Sequence, residues 1–343
     1  MIFCPWQKET ENTEFKRNEP CTIDHGPWTN KTMNSTSRIN YYNIAAMLAA
    51  SCLAVLIPFE LVLLSYAILG PGHYLTEISW LNGRQFFTPK KFDILIVIVI
   101  AIAAFLLKLP YAFIVFYTFG LAFVLLAVEN TVYRILAFAL VIAAGYFLLS
   151  SNILKTIFGL YVPTLIHVYF FTGAFMLFGA LRDKNVSGYI AFIVFLACPV
   201  LLCVLFTGWH SSVSGWAISN YGDFGRLNTT TLRNQHIDIF NNPFSILLTR
   251  LIAFAYTYHY LNWFSKTRII NWHKMTVKRS VLIGIIWAAS VGLYFYNYRI
   301  GIKWLFMLSL AHVILEFPLN HRSFIGIGRE LGLRMRKSID HGP

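Results

Sequence analysis

Two short segments of the chain repeat one chemical pattern. His73 and Glu77 lie in Gly70-Pro-Gly-His-Tyr-Leu-Thr-Glu77, and His312 and Glu316 lie in Ala311-His-Val-Ile-Leu-Glu-Phe-Pro318. Both read H-x-x-x-E. On an α-helix, residues i and i+4 share a face, so each pair aims an imidazole and a carboxylate at one spot. That is half of a hard-metal site. Two further histidines stand in apolar stretches: His167 in Thr164-Leu-Ile-His-Val-Tyr-Phe170 and His259 in Tyr256-Thr-Tyr-His-Tyr-Leu-Asn-Trp263. A lone histidine in such a stretch is usually an interhelical hydrogen bond; four at one depth make a candidate metal set. Imidazole plus carboxylate with open positions suits non-haem iron, Fe(II). Zinc and a metal-free proton relay are the other chemistries this set supports. In this reading His73, His167, His259 and His312 bind metal, and Glu77 and Glu316 are ligands or orienting groups.

The elements that must position these residues are apolar helices. Of 343 residues, 57% are hydrophobic and only 13% charged, against about 25% charged in soluble chains. Runs such as 93–107 and 132–150 carry almost no charge and are long enough to span a bilayer. The expected fold class is all-α, a polytopic transmembrane helical bundle with eight or nine spans. Ionisable groups inside such spans are costly, which is why the histidines and glutamates stand out.

The spans read as 44–69, stopping at Gly70-Pro71-Gly72, then 92–109, 111–128, 132–150, 156–181, 188–209, 244–264, 280–298 and 302–319. A polar loop fills 210–243. The domain division is a polar N-terminal tail (1–40), a membrane domain (41–320) and a basic cytoplasmic C-terminal tail (321–343). The loops after spans one, three, five and seven, with the C-terminal tail, hold most of the Lys and Arg. The positive-inside rule then puts the C-terminus in the cytoplasm of a cell-membrane protein. Nine spans put the N-terminus outside. In this topology all four histidines fall in the inner half of the bilayer.

The formal net charge of +13 fits loops facing anionic lipid rather than nucleic acid. The expected partners are membrane lipids and an apolar small molecule. Cys52, Cys198 and Cys203 read as small core residues. Glu60 and Glu129 are each expected to accept a hydrogen bond, from a neighbouring helix or from a ligand histidine. There is no phosphate-binding GxxxxGK[ST] or GxGxxG and no G-x-S-x-G elbow.

The segments Leu69-Gly-Pro-Gly-His-Tyr-Leu-Thr-Glu77 and Leu308-Ser-Leu-Ala-His-Val-Ile-Leu-Glu316 resemble the first and last histidine motifs of the Brp/Blh family of membrane β-carotene dioxygenases. That family is polytopic and helical, with intramembrane histidines thought to hold iron, and cleaves a carotenoid with dioxygen. The resemblance implies metal-ligand roles for His73 and His312 and an apolar substrate. The family has Gly after the first His and usually Asp at the acidic position; Tyr74 and Glu77 stand there in this chain. The functional expectation is thus a membrane metalloenzyme, an iron-dependent oxygenase or dioxygenase, that oxidises or cleaves a carotenoid- or lipid-like molecule. The alternatives are a transporter or channel using intramembrane His and Glu, and a non-catalytic membrane assembly protein.

Overall fold

The computed structural model describes residues 35–84, 110–206, 212–266 and 275–340, and these are helical with short connections. Helix α1 (Ser35–Leu56) breaks at Ile57, because the residue before a proline avoids helical backbone angles. Pro58 opens α2 (Pro58–Leu64), which continues through a π-helical segment (Ser65–Leu69) into α3 (Gly70–Arg84). Then come α4 (Tyr111–Ala127) and α5 (Thr131–Leu148). A long composite rod follows: α6 (Asn152–Thr156), a second π-helical segment (Ile157–Phe171) and α7 (Thr172–Asp183). Next are α8 (Val186–Leu205), the short α9 (Gly215–Asn220) and α10 (Gly222–Thr231), α11 (Pro243–Ser265), α12 (Val277–Tyr296) and α13 (Tyr298–Asp340).

Asparagine caps set several starts. Asn130, Asn185 and Asn242 accept from backbone N–H groups of the first turns of α5, α8 and α11, donors that otherwise lack partners. The α12–α13 hairpin turns at Asn297. It closes on Gly301, where a Cβ would sit 2.3 Å from Tyr294 Cα, so only glycine permits that approach.

Six described helices are long and apolar enough to cross a membrane: α1, α5, the 152–183 rod, α8, α12 and α13. The most enclosed one, α11, is not among them. It carries Arg250, His259 and Asn262, and is buried along most of its length. It touches α1, α2, α3, α8 and both π-helical segments. Protein rather than lipid surrounds it, so it does not need a lipid-like sequence.

Three expectations are corrected. The stretch read as one span ending at Gly70 is two passes. Asn43 near the start of α1 accepts from Tyr258 and Ser265 at the end of α11. After Ile57 the chain reverses and runs back beside α11, pairing Ser65 with Thr257, Tyr74 with Tyr260 and Thr76 with Trp263. The Gly-Pro-Gly sequence lies inside the second pass: a proline is tolerated at the second residue of α3, and its φ is already helical. Second, the two ends of the described chain share one end of the bundle. Ser37 and Asn40 bond Asn185 and Ser187 at the α7–α8 turn, and Arg334 bonds Leu181 O and the Tyr189 hydroxyl there. Third, 321–340 is a continuation of α13 rather than a tail, and the 210–243 loop contains α9 and α10. The span expected at 92–109 lies outside the described residues.

Candidate metal centre

Each histidine reaches the bundle centre on a different rod. His73 is in the first turn of α3, His167 in the second π-helical segment, His259 in α11 and His312 in α13. Both π-helical stretches stand next to this centre, as such segments commonly do at functional sites. Pro163, four residues before His167, has no N–H for an α-helical bond, a local reason for the irregular pitch.

All four rings are buried, none more than 7% exposed. They form a closed circuit. Ring centroids are 4.6 Å apart for His73–His259, 5.1 Å for His259–His167, 5.0 Å for His167–His312 and 5.1 Å for His312–His73. The nitrogens point inward: His259 Nε2 is 3.0 Å from His73 Nε2, and His167 Nε2 is 3.1 Å from His312 Nε2. Ligands at right angles with bonds of about 2.1 Å lie about 3.0 Å apart. Two triads, His73/His259/His312 and His167/His312/Glu316, each keep one ligand atom per residue within 4.8 Å of the others. The structure thus brings together all six residues expected at the site.

The outer nitrogens define two of the tautomers. His312 Nδ1 lies 2.6 Å from the Ser309 carbonyl, which only accepts, so this nitrogen donates. His259 Nδ1 lies 2.7 Å from Thr172 Oγ, whose single proton goes to the Val168 carbonyl, so His259 Nδ1 also donates. Both rings therefore present a bare Nε2 lone pair to the centre, the state a metal requires. His167 Nδ1 is 3.3 Å from Glu316 Oε2. His73 Nε2 is 3.2 Å from Glu77 Oε2. Neither contact is a hydrogen bond: His167 Nδ1, Glu316 Oε2 and Glu77 Oε2, like His73 Nδ1, have no hydrogen-bond partner among the described residues.

Aromatic groups wall the centre. Tyr74 stacks on His312 at 4.3 Å, and its hydroxyl meets that of Tyr260 at 2.6 Å. Trp263 lies edge-on to His73 and donates to Thr76. On the side of the shared chain ends, Lys266 places its ammonium 3.8 Å from the Phe175 ring centre. On the opposite side is an apolar cavity of about 130 Å³. Its lining includes Pro163, Thr164, Tyr256, Ser309 and Leu310, each one helical turn or less from His167, His259 or His312.

Neither Glu60 nor Glu129 stands beside the histidines, and Glu60 takes the other expected course, a bond from a neighbouring helix. Glu60 accepts from the Ser214 N–H at 2.7 Å, near α9, and Glu129 is exposed in the α4–α5 turn. Of the other histidines, His321 meets the Phe119 carbonyl and His236 is exposed. Three contributors escape a sequence reading. Lys266 looks like a loop charge, although it is seven residues after His259 and so on the same helical face. Thr172 looks like an ordinary helix threonine. The Ser309 carbonyl is backbone and carries no sequence signal. Comparison with protein-family models, with curated proteins and with solved structures finds no match.

Proposed function

We propose that the chain is a membrane metalloenzyme whose four-histidine centre holds non-haem iron and oxidises or cleaves an apolar, carotenoid- or lipid-like molecule. One observation carries the metal reading: four buried imidazoles face one another, and at least two have their protons on the outward nitrogen. Without a cation, each Nε2···Nε2 contact needs one Nε2–H. His259 and His312 have their protons on Nδ1, so His73 and His167 would have to donate. His167 would then turn a bare Nδ1 toward Glu316, acceptor against acceptor unless that carboxyl keeps its proton. A cation held by the His73/His259/His312 triad or the His167/His312/Glu316 triad uses the inward lone pairs of that triad, and in the first case His167 Nδ1–H can face Glu316. That arrangement matches the carboxylate–histidine–metal pattern that orients metal-bound imidazoles.

In this reading His73, His167, His259 and His312 hold the metal, and Glu77 stands beside the inward nitrogen of His73. Glu316, Thr172 and the Ser309 carbonyl orient the rings. Iron(II) with an open position supplies dioxygen chemistry. The cavity supports an apolar substrate. Its size compares with the roughly 150 Å³ that admits benzene, enough for one end of a longer hydrocarbon. Tyr74 and Trp263 keep water from the imidazoles. The end of the bundle with Arg182, Lys184, Lys266 and Arg334 faces the cytoplasm by the positive-inside rule.

Metal analysis of purified, demonstrably folded protein tests the reading. Stoichiometric iron is expected. Folded protein that neither contains nor takes up a transition metal would sink it, and stoichiometric zinc after anaerobic loading with both metals would remove the oxygenase part.

A further inference from the structure

The π-helical segment Ser65–Leu69 sets the direction in which His73 points. Its closing bond runs from the Gly70 N–H to the Ser65 carbonyl. A turn closed in this way holds one residue more than an α-helical turn. One residue is about 100° of helical rotation. Were the wide turn to slip along the chain past His73, the imidazole would swing by that amount, away from the other three rings. The turn is also short of one internal donor, because Pro71 has no N–H to give to the carbonyls before it.

A donor comes from outside. Trp287 of α12 gives its indole N–H to the Ile68 carbonyl, inside the wide turn, at 2.8 Å. The same ring lies on the residue before His73: a Cβ on Gly72 would meet Trp287 Cδ1 at 3.5 Å and the Phe264 ring at 3.4 Å. Helix α12 otherwise faces outward, with Ser290 and Tyr294 as its buried residues. Trp287 itself is 38% exposed, yet its N–H turns inward to the backbone of another rod. An indole N–H in apolar surroundings needs a partner, and the wide turn offers one.

We propose that Trp287 is a positioning residue for His73. Its N–H pins the wide turn ahead of α3, so a helix that gives no ligand to the centre fixes the aim of one of the four imidazoles. The inference rests on the four-histidine metal reading for its metal readout, and on the hydrogen bond alone for its structural one.

Trp287→Phe removes the N–H and keeps an aromatic ring. Trp304→Phe is the control, because Trp304 gives its indole N–H to Ser290 Oγ across the α12–α13 hairpin, also at 2.8 Å, rather than to the turn before α3. Hydrogen exchange of the metal-free full chain, followed by mass spectrometry, reads the turn directly. Amides in 68–77 should exchange about fivefold faster in Trp287→Phe, the factor expected for one typical lost hydrogen bond, and at the native rate in Trp304→Phe. Metal affinity from chelator competition should fall about tenfold in Trp287→Phe, the lower end of what a lost outer partner costs, with a changed spectrum of the cobalt-substituted protein. Trp304→Phe should keep the native affinity and spectrum. Trp287→Gln carries an N–H the same number of bonds from its Cα and should bind metal more tightly than Trp287→Phe. Native exchange over 68–77 in Trp287→Phe would overturn the inference, as would equal changes in both Phe variants or weaker binding by Trp287→Gln than by Trp287→Phe. Folded wild-type protein that takes up no metal would sink the four-histidine reading, and the exchange rates would still decide the role of Trp287.

Discussion

The two H-x-x-x-E segments have the same spacing and different wiring. In α3 the pair is internal: Glu77 lies 3.2 Å from Nε2 of its own His73, on the inward nitrogen. In α13 the pair is split. Glu316 lies 3.3 Å from the outward Nδ1 of His167, on another rod, and His312 instead uses the Ser309 carbonyl one turn earlier. Helical spacing brings both carboxylates to the correct face in each case. What differs is the side of an imidazole that each carboxylate reaches. A carboxylate on the inward side competes for the metal as a ligand, whereas one on the outward side orients and polarises a ligand.

The largest effect should come from residues common to both arrangements. His259→Ala or His312→Ala removes an inward nitrogen and should lower metal affinity by more than about 100-fold, since even outer partners are worth about 10–100-fold. Competition with a chelator measures it. The two glutamates should then separate. Glu316→Gln should weaken binding about 10–100-fold without altering the absorption spectrum of the cobalt-substituted protein, because coordination is unchanged. Glu77→Gln should alter that spectrum. Identical spectra for the two variants would erase the distinction between the segments.

A smaller loss is expected from Thr172→Val, which leaves His259 Nδ1–H without an acceptor. About tenfold in affinity is expected, the lower end of the outer-partner range. Tyr74→Phe should leave metal content intact, since stacking on His312 persists. It should cost ~1 kcal/mol of stability for the lost Tyr260 hydrogen bond, read from thermal unfolding in detergent.

The smallest effect lies outside both segments and serves as the contrast. Asp238, exposed in the loop before α11, accepts from Asn241 Nδ2 and from the N–H groups of Phe240 and Asn241. These bonds hold its carboxyl below the usual carboxylate range. The turn is therefore fully supported above the ordinary aspartate pKa and loses that support as pH falls through the lowered one. Amide exchange at Phe240 and Asn241 should speed up there, with metal binding unaffected by Asp238→Asn.

The sequence by itself determined that the chain is helical and apolar, and it singled out six polar residues. Its spacing of four placed His73 with Glu77 and His312 with Glu316, because helical periodicity is local and written in the chain. Most helix bounds were legible for the same reason: apolar runs are bounded by Asn and Pro, whose backbone and capping preferences act within a few residues. The reversal at Ile57 was not legible, because an apolar run with one proline reads equally as a kinked span or as two passes; contacts with α11 decide between them. Only the tertiary structure decided that four rings on four rods close into one circuit. It also decided that Thr172 and a backbone carbonyl set two tautomers, and that Lys266 lies over the Phe175 ring. These are contacts between residues far apart in sequence, and the packing of one rod against another, which no local pattern encodes, determines which atom meets which.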